Sequence, residues 1–365
     1  MMETQVSPSE HRFPCPSCGS DLRYLPGSGR LHCDHCGHEE QIADATPWTS
    51  AIVELDFRAA IEARLPEQEI EETRVLNCTS CGAQVEFDEQ IHSKECPFCA
   101  TPVVTGTGTH RHIKPKGLLP FALDERQARE AMTDWLGSLW FAPNGLQKYA
   151  RKGRRLSGIY VPYWTFDANT RSSYRGERGT VHYKGSGKDR KRTIRWRRVS
   201  GRVARTFDDI LVLASNSLPK RFTDALPPWD LAHLEPYQPE FLAGFRAEGY
   251  QVELRDGYGE ARAHMDAVIR RDVAFDIGGD RQRIHDIDTS VSDVTFKHIL
   301  LPVWMAAYKY RGKSYRFVVN GRTGRVRGER PWSAGKIAIA VILALILAAA
   351  FGYVVALNEG GEFSL

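Results

Sequence analysis

Apolar residues recur at helical spacing in two long stretches of the chain. Asp124, with Gln127 three residues on, heads a run in which Ala128, Ala131, Met132, Trp135, Leu136 and Leu139 share a face. This pattern predicts an amphipathic helix opened by a capping box. Between Gly259 and Val273, Ala261, Met265, Val268 and Ile269 predict a second helix. Over Ala51–Leu65 the apolar Ile52, Leu55, Ala59 and Leu65 stand among charges, followed by Pro66 and an acidic run, so 46–74 reads as a helical, acidic spacer. Elsewhere the pattern favours strands: Ile159–Phe166, where Pro162 suits an edge or a bulge, then Asp209–Ala214 and Val291–Phe296. Tyr315–Val319, Asn320-Gly321 and Thr323–Val326 predict a hairpin with a tight turn. Pro162-x-Trp164 returns later in the chain as Pro302-x-Trp304, each followed by a Tyr-Arg pair (Tyr174-Arg175, Tyr315-Arg316). The echo is either a duplicated β-unit or coincidence. Together these signals predict an α+β domain over 110–331, rich in antiparallel sheet.

One stretch has no polar face. From Ile337 to Leu357 there is no charge, Asn, Gln or Pro. As a helix it would be about 31 Å long, close to the hydrocarbon thickness of a bilayer. A buried core helix of this length would normally show a polar stripe. The pattern therefore predicts a transmembrane helix over 337–357. Arg322, Arg325, Arg327, Arg330 and Lys336 precede it, with Trp332 as an interfacial anchor, whereas only Asn358, Glu359 and Glu362 follow. Lys and Arg stay on the cytoplasmic side, so the N-terminal body should be cytoplasmic and the 358–365 tail outside. The polar N-terminus does not read as a signal peptide. The expectation is a tail-anchored, single-pass membrane protein. Within the helix Ala340, Ala344, Ala348, Gly352 and Ala356 recur every fourth residue. Such a stripe allows close helix self-association, although alanine-rich spans produce one easily.

The eight cysteines form four Cys-x-x-Cys pairs: Cys15/Cys18, Cys33/Cys36, Cys78/Cys81 and Cys96/Cys99. Each cysteine of the first two pairs recurs at one constant offset (Cys15 as Cys78, Cys18 as Cys81, Cys33 as Cys96, Cys36 as Cys99), so one C-x2-C-x14-C-x2-C unit is duplicated. Four thiolates on two knuckles suit a tetrahedral metal ion, and Cys18-Gly19, Cys36-Gly37 and Cys81-Gly82 supply turn glycines where Cys99-Ala100 does not. A cytoplasmic location disfavours disulfides, and a redox site would need a single pair in a βαβ setting. Two structural zinc ions are expected, with no open coordination position for hydrolysis, while spacing alone also admits rubredoxin-like iron. His32, His35 and His38 read as surface. Alternating Leu22, Tyr24 and Leu31, then Val85, Phe87 and Ile91, predict a β-hairpin over each metal, hence zinc ribbons at 12–45 and 75–104.

Charge then alters the picture of the body. Lys184–Arg205 carries ten Lys/Arg and one Asp, a net +9 in a chain whose total is +4, so the remainder is acidic. Ile194 and Trp196 alternate with Arg195 and Arg197, which predicts a strand with one basic face. Lys184, Lys188, Arg190, Lys191, Arg192, Arg195, Arg197 and Arg198 are the candidate polyanion contacts. Three readings stay open for them: a solvated hairpin paired with acidic neighbours, contact with anionic lipid, or contact with nucleic-acid phosphate.

The ribbons, the Tyr160-Val-Pro-Tyr-Trp-Thr-Phe-Asp167 stretch, the Phe241-Leu-Ala-Gly-Phe245 segment and the Val319-Asn-Gly-Arg-Thr-Gly-Arg325 turn together carry a resemblance. The chain resembles bacterial membrane-anchored proteins with TFIIB-type zinc ribbons, often catalogued as primosomal protein N-prime (PriA helicase)-like. The helicase part of that label lacks chemical support. An NTP-driven motor needs Gly-x4-Gly-Lys-Ser/Thr, but Gly185-Ser-Gly187-Lys188 is followed by Asp189 and has His182 in place of the first Gly. Asp208-Asp209 has no apolar strand before it to make a Walker-B box. No Gly-x-Ser-x-Gly, His-Glu-x-x-His or Gly-x-Gly-x-x-Gly motif occurs, and His110 and His112 read as surface in a Pro-flanked loop. The resemblance implies a non-catalytic membrane adapter whose partners are SPFH/flotillin-like or phage-shock-type proteins of envelope stress. The alternative is a membrane-tethered nucleic-acid-binding protein without helicase activity.

Overall fold

The computed structural model describes residues 13–43, 52–78, 84–86, 93–95, 102–104, 107–143, 156–184, 191–310 and 313–360. The first described unit is a three-stranded antiparallel sheet of β1 (Arg23–Leu25), β2 (Arg30–His32) and β3 (Glu39–Gln41). Leu22, Tyr24 and Leu31 point inward, as their alternation requires.

The predicted helical spacer is corrected. Its described part holds β4 (Leu55–Asp56), a five-residue helix α1 (Phe57–Ile61) capped by Asp56, and the acidic run, which is a 3-10 turn at Glu67–Glu69 leading into strand β5 (Ile70–Asn77). Branched and threonine residues within Ile-Glu-Glu-Thr-Arg-Val-Leu give that run the β-propensity that its charges disguised. β5 pairs with β6 (Gln84–Glu86) and, across β7 (Ser93–Glu95) and β8 (Pro102–Val104), with β9 (Thr107–Ile113). His112 is therefore in a strand and buried, not in a surface loop.

Next come β10 (Gly117–Leu118), helix α2 (Glu125–Ser138) and two long strands, β11 (Ser157–Lys184) and β12 (Lys191–Leu213). The capping box of α2 is present: Asp124 Oδ1 accepts from the Gln127 N–H at 2.7 Å, and Gln127 Oε1 from the Asp124 N–H at 2.9 Å. A short α3 (Lys220–Thr223), then β13 (Glu235–Pro236) and β14 (Arg246–Ala247), lead to α4 (Leu254–Ile277). The chain continues through β15 (Arg281–Tyr310), β16 (Lys313–Asn320) and β17 (Val326–Gly328) into α5 (Ala334–Gly360).

β11 lies between β12 and β15, antiparallel to both. Its even residues Tyr160, Trp164 and Phe166 face α2 and α4, and its odd residues Ile159, Val161 and Tyr163 face the segment around α3. α4 buries Leu254, Gly257, Ala261, Met265, Ile269, Val273 and Ile277, a near-perfect four-residue stripe. Pro162 sits opposite Ala214, one residue beyond the end of β12: its carbonyl accepts from the Ala214 N–H at 3.0 Å, and the donor it lacks falls outside the ladder.

The Pro-x-Trp echo is a structural duplication. Val161 pairs with Leu301, its own counterpart in the second copy, so a pseudo-two-fold axis passes between them. β10 runs parallel to β15 (Leu118↔Leu300), and β14 runs parallel to β11 (Ala247↔Tyr160). Each repeat is thus short strand, helix, long strand, with the short strands exchanged. The indole N–H of Trp164 donates to the Val252 carbonyl at 2.9 Å, and that of Trp304 to the Leu123 carbonyl, also at 2.9 Å.

The last hairpin differs from its prediction. The hairpin is present, with Val319 opposite Val326, but its return strand is β17 and Thr323–Arg325 belong to a wide turn. Asn320 Oδ1 accepts from the N–H groups of Arg322 (2.8 Å) and Thr323 (3.0 Å), and Gly324 takes φ +73°. Gly321 is required by packing, since a Cβ there would stand 2.7 Å from the Phe121 ring.

Candidate metal centre

Cys15, Cys18, Cys33 and Cys36 converge so that their sulfurs all lie within 4.8 Å of one another. Two of the separations, Cys15–Cys36 and Cys18–Cys33, are 3.5 Å. A tetrahedral ion with metal–sulfur bonds of about 2.3 Å needs edges of about 3.8 Å, so the donor set fits one metal ion. The two knuckles are built alike. Gly19 and Gly37 adopt φ +76° and +75°, and their N–H groups donate to the carbonyls of Cys15 and Cys33, each at 2.9 Å. Only glycine takes this turn without strain.

The electrostatics are uneven. The Ser20 backbone N–H, followed by its hydroxyl, pulls the Cys18 thiol down to about 6. The His38 N–H is the largest influence on Cys36 and lowers it, yet the crowding of Cys18, Cys15 and Cys33 holds Cys36 up at about 12. One thiol is thus ready to ionise first and to begin capture of a cation. His32, His35 and His38 stay outside the sulfur cluster; His38 Nδ1 lies 3.3 Å from the Ser17 hydroxyl, and His32 Nδ1 lies 3.6 Å from Glu39.

This unit is fused to the body. Cys15 and Cys33 are buried, and Cys18 and Cys36 are exposed. The Tyr24 N–H donates to the Ala243 carbonyl and the Gly27 N–H to the Phe121 carbonyl, both at 2.9 Å. Tyr24 meets Phe241 edge-on at 5.3 Å. Phe241 and Phe245, part of the stretch that carried the resemblance, form the seat on which the unit rests. In the second quartet Cys78 is buried in the hydrophobic cluster that also holds Leu119 and Leu218, while Cys81, Cys96 and Cys99 lie outside the described residues.

The basic segment is not a strand with one basic face. β12 keeps an unbroken register with β11 from Lys191 to Thr206. Strict alternation therefore puts Arg192 and Arg198 with Ile194 and Trp196, and Arg195 and Arg197 on the opposite face, towards α4. Arg192, Arg195, Arg197 and Arg198 are exposed; Lys184 and Lys191 end their strands; Lys188 and Arg190 lie outside the described residues. Several charges nearby are paired: Arg205 with Asp272 at 2.6 Å, Arg175 with Asp286 at 3.1 Å and Arg283 with Glu177 at 3.4 Å. The guanidinium of Arg283 also stacks over Trp196 at 3.9 Å.

A second charged cluster escaped the sequence reading. Lys297 is 8% exposed, with its ammonium 2.9 Å from Glu54, 2.8 Å from Asp209 and 4.0 Å from Asp167. Asp209 is held at φ +52° in a bulge, where its N–H donates to Asp167 Oδ1 at 2.6 Å. Asp167, Asp208 and Asp209 bring carboxylates within 4.8 Å of one another, and the cation among them is Lys297. Burial, then the hydrogen bond with Glu54, pushes the Asp167 carboxyl up to about 7, whereas Glu54 is drawn down to about 2, chiefly by that same bond. Burial pulls the Lys297 ammonium down, but its bonds to Asp209 and Glu54 hold it above the usual lysine range. A lysine inside the apolar run Val294–Val303 was the available signal.

α5 leaves the body bare. Within the 22 residues Ala334–Val355, an 18-residue window has a mean hydropathy of 2.8, and none of that window is buried. It is long and apolar enough to cross a membrane, and it does not serve as a core helix for the described residues. Ala340, Ala344, Ala348 and Gly352 lie along it unpacked, and the side chain of Ala356 is outside the described residues.

Comparison with known proteins gives one similarity along most of the chain and one over a short stretch. The uncharacterized protein YdjG of Bacillus subtilis (strain 168) is 26% identical over 327 residues, covering 89% of this chain and 92% of YdjG. Transcription factor S of Methanothermococcus thermolithotrophicus is 34% identical over 74 residues, 19% of this chain and 63% of that protein, so this chain spans less than two thirds of the latter's length. No protein-family model and no solved structure matches the chain. Neither of these two relatives carries a TFIIB or primosomal name; the similarity is to a Bacillus protein along nearly its whole length and to an archaeal transcription factor over part of its own.

Proposed function

We propose that this chain is a non-catalytic, membrane-anchored zinc-ribbon adapter that recruits cytoplasmic partners to the bacterial inner membrane in envelope stress. The carrying observation is that a single hydrophobic cluster contains Cys15, Cys33 and Tyr24 together with Leu136 and Ala142. The Ala142 carbonyl in turn accepts a hydrogen bond from the Lys336 ammonium, in the first turn of α5, at 2.9 Å. A metal knuckle and an anchor joined through one packed core present a fixed surface at a fixed place, which suits recruitment. α5 is then the membrane span. The arginines and lysine before it, against Asn358, Glu359 and Glu362 after it, support a cytoplasmic body with the C-terminus outside.

Zinc is the metal this reading assigns to both quartets, two ions per chain, each supplying a structural clamp between two knuckles. Full coordination by four cysteines leaves no position for substrate. By resemblance the partners are SPFH/flotillin-like or phage-shock-type proteins. Crosslinking of the full chain in native membranes, read by mass spectrometry, should recover such a protein. The capture should be lost when Cys15 and Cys33 are changed to Ser while the chain remains in the membrane fraction.

A second reading is favoured by the 74-residue similarity to a transcription factor together with the exposed arginines of β12. It is a membrane-tethered nucleic-acid-binding protein, and recovery of DNA or RNA in place of a protein partner would support it.

A further inference from the structure

The loop after α2 and the entry to α5 meet, although they are far apart in sequence. The Ser333 N–H donates to the Phe141 carbonyl at 2.8 Å, and the Lys336 ammonium reaches the Ala142 carbonyl. The rings of Phe141 and Trp332 lie 6.3 Å apart, and the Arg330 guanidinium covers the Trp332 ring at 4.3 Å. Beside this junction Trp140 is 78% exposed and Trp332 58% exposed, although both are large apolar rings. Trp135, one turn earlier on α2, packs against the core, so the exposure belongs to the loop and not to the helix as a whole.

We propose that Trp140, with Phe141 and Trp332, forms a collar that seats the body in the lipid headgroup layer, giving the chain a second membrane contact beside its span. The inference rests on the reading of α5 as a membrane helix. Its basis is continuity: the backbone next to Trp140 is hydrogen-bonded to the residues at which the helix begins. Neighbouring Cα atoms are about 3.8 Å apart, and the polar layer on each side of the hydrocarbon is about 5–7 Å deep. The Trp140 ring therefore lies within reach of that layer. An indole with an apolar body and one N–H donor prefers this depth. Arg330 and Lys336 bring positive charge to the same level, where anionic headgroups attract it. A span preceded by a free linker would let the body swing, whereas this collar fixes its height and tilt.

The test uses the full chain reconstituted in vesicles whose lipids carry bromine near the headgroup end of the acyl chains, with tryptophan fluorescence as readout. Eight tryptophans are present, and Trp140 and Trp332 are those expected to be quenched. Trp140→Phe should remove roughly half of the quenched signal and Trp332→Phe the remainder, with Trp196→Phe changing nothing. A photoreactive residue at position 140 should crosslink to lipid. If the chain floats with the vesicles but Trp140→Phe leaves quenching unchanged, the collar is refuted and the span stands. If the chain does not float with the vesicles, both readings fall. Crosslinking of position 140 to a protein in native membranes, and not to lipid, would also overturn the collar.

Discussion

Lys297 is a buried cation in an apolar strand, and the consequences of that placement are measurable. Replacing it with Met strands Glu54 and Asp209 without a counter-ion. The expected cost is about 3 kcal/mol, the low end for breaking a buried pair because both carboxylates keep some solvent, read as a lower urea midpoint in detergent micelles. The pH dependence follows from Asp167. Its folded carboxyl titrates near 7, above the ordinary 3.8, so the folded chain holds a proton that the unfolded chain releases between those values. The contribution of Asp167 to stability therefore falls as pH rises from about 4 to 7. Glu54, drawn down to about 2 from 4.5, acts oppositely and contributes stability above pH 4.5 that is lost as pH falls. Asp167→Asn, which keeps the acceptor for the Asp209 N–H, should flatten the decline between pH 4 and 7 and stabilise the chain at pH 8; an unchanged profile would contradict the assignment. Only the lysine in an apolar run was legible beforehand; its partners were not, because residues 54, 167, 209 and 297 are brought together by the fold and not by sequence spacing. The cysteine quartet and the Asp124 capping box were legible because their partners are near in sequence.

Among the elements, the duplicated units make the sharpest claim. Trp164 and Trp304 stand opposite His298 and Gly158, so they are separated by about 20 Å along the sheet, at about 3.3–3.4 Å per residue. Each buries an indole whose N–H meets a carbonyl in the loop before the other repeat's helix. Changing either to Phe leaves that carbonyl without its donor and should cost about 1–3 kcal/mol. At this separation the two losses should add to within about 0.5 kcal/mol in the double variant, by chemical denaturation. The Pro-x-Trp echo was visible in the sequence, but the exchange of β10 and β14 between repeats was not, since two-residue strands leave no periodicity. Of the long strands only pieces were predicted: Ile159–Phe166 of β11, the Ile194–Arg197 segment and Asp209–Ala214 of β12, and Val291–Phe296 of β15. From Ala168 to Arg205 polar residues fall on both faces, and β-pairing rather than alternation holds them. For the cysteine units, metal analysis of the purified chain should give two zinc per chain. Cys15→Ser with Cys33→Ser should give one, and should also loosen the seat on Phe241, because these two thiols belong to that core.

At the scale of the whole chain, anchor and basic tip lie at opposite ends of one sheet. α5 starts beside the loop after α2, which packs on β16 and β17; β17 pairs with β16, and β16 pairs with β15 near Trp304, level with Gly158. From Gly158 to its end at Lys184, β11 continues for about 80 Å of strand. A Debye length in physiological salt is about 8 Å, so if α5 spans a bilayer and the arm points away from it, the arginines stand beyond the reach of headgroup charge. Membrane residence and arm chemistry should then separate. Changing Arg192, Arg195, Arg197 and Arg198 together to Gln should leave resistance to alkaline extraction and zinc content as they are, since none of these residues touches the anchor or the thiols. If the arm is the recruiting surface, the same variant should lose the salt-sensitive part of partner capture from membranes. If it serves nucleic acid, duplex binding should show a slope of log K against log salt that shrinks by about 3–4 in the variant, roughly 0.9 for each phosphate contact removed. Capture and duplex binding both unchanged would leave β12 as a solvated edge, kept from pairing with other chains by its own arginines, and would shift recruitment to the exposed cysteine knuckles.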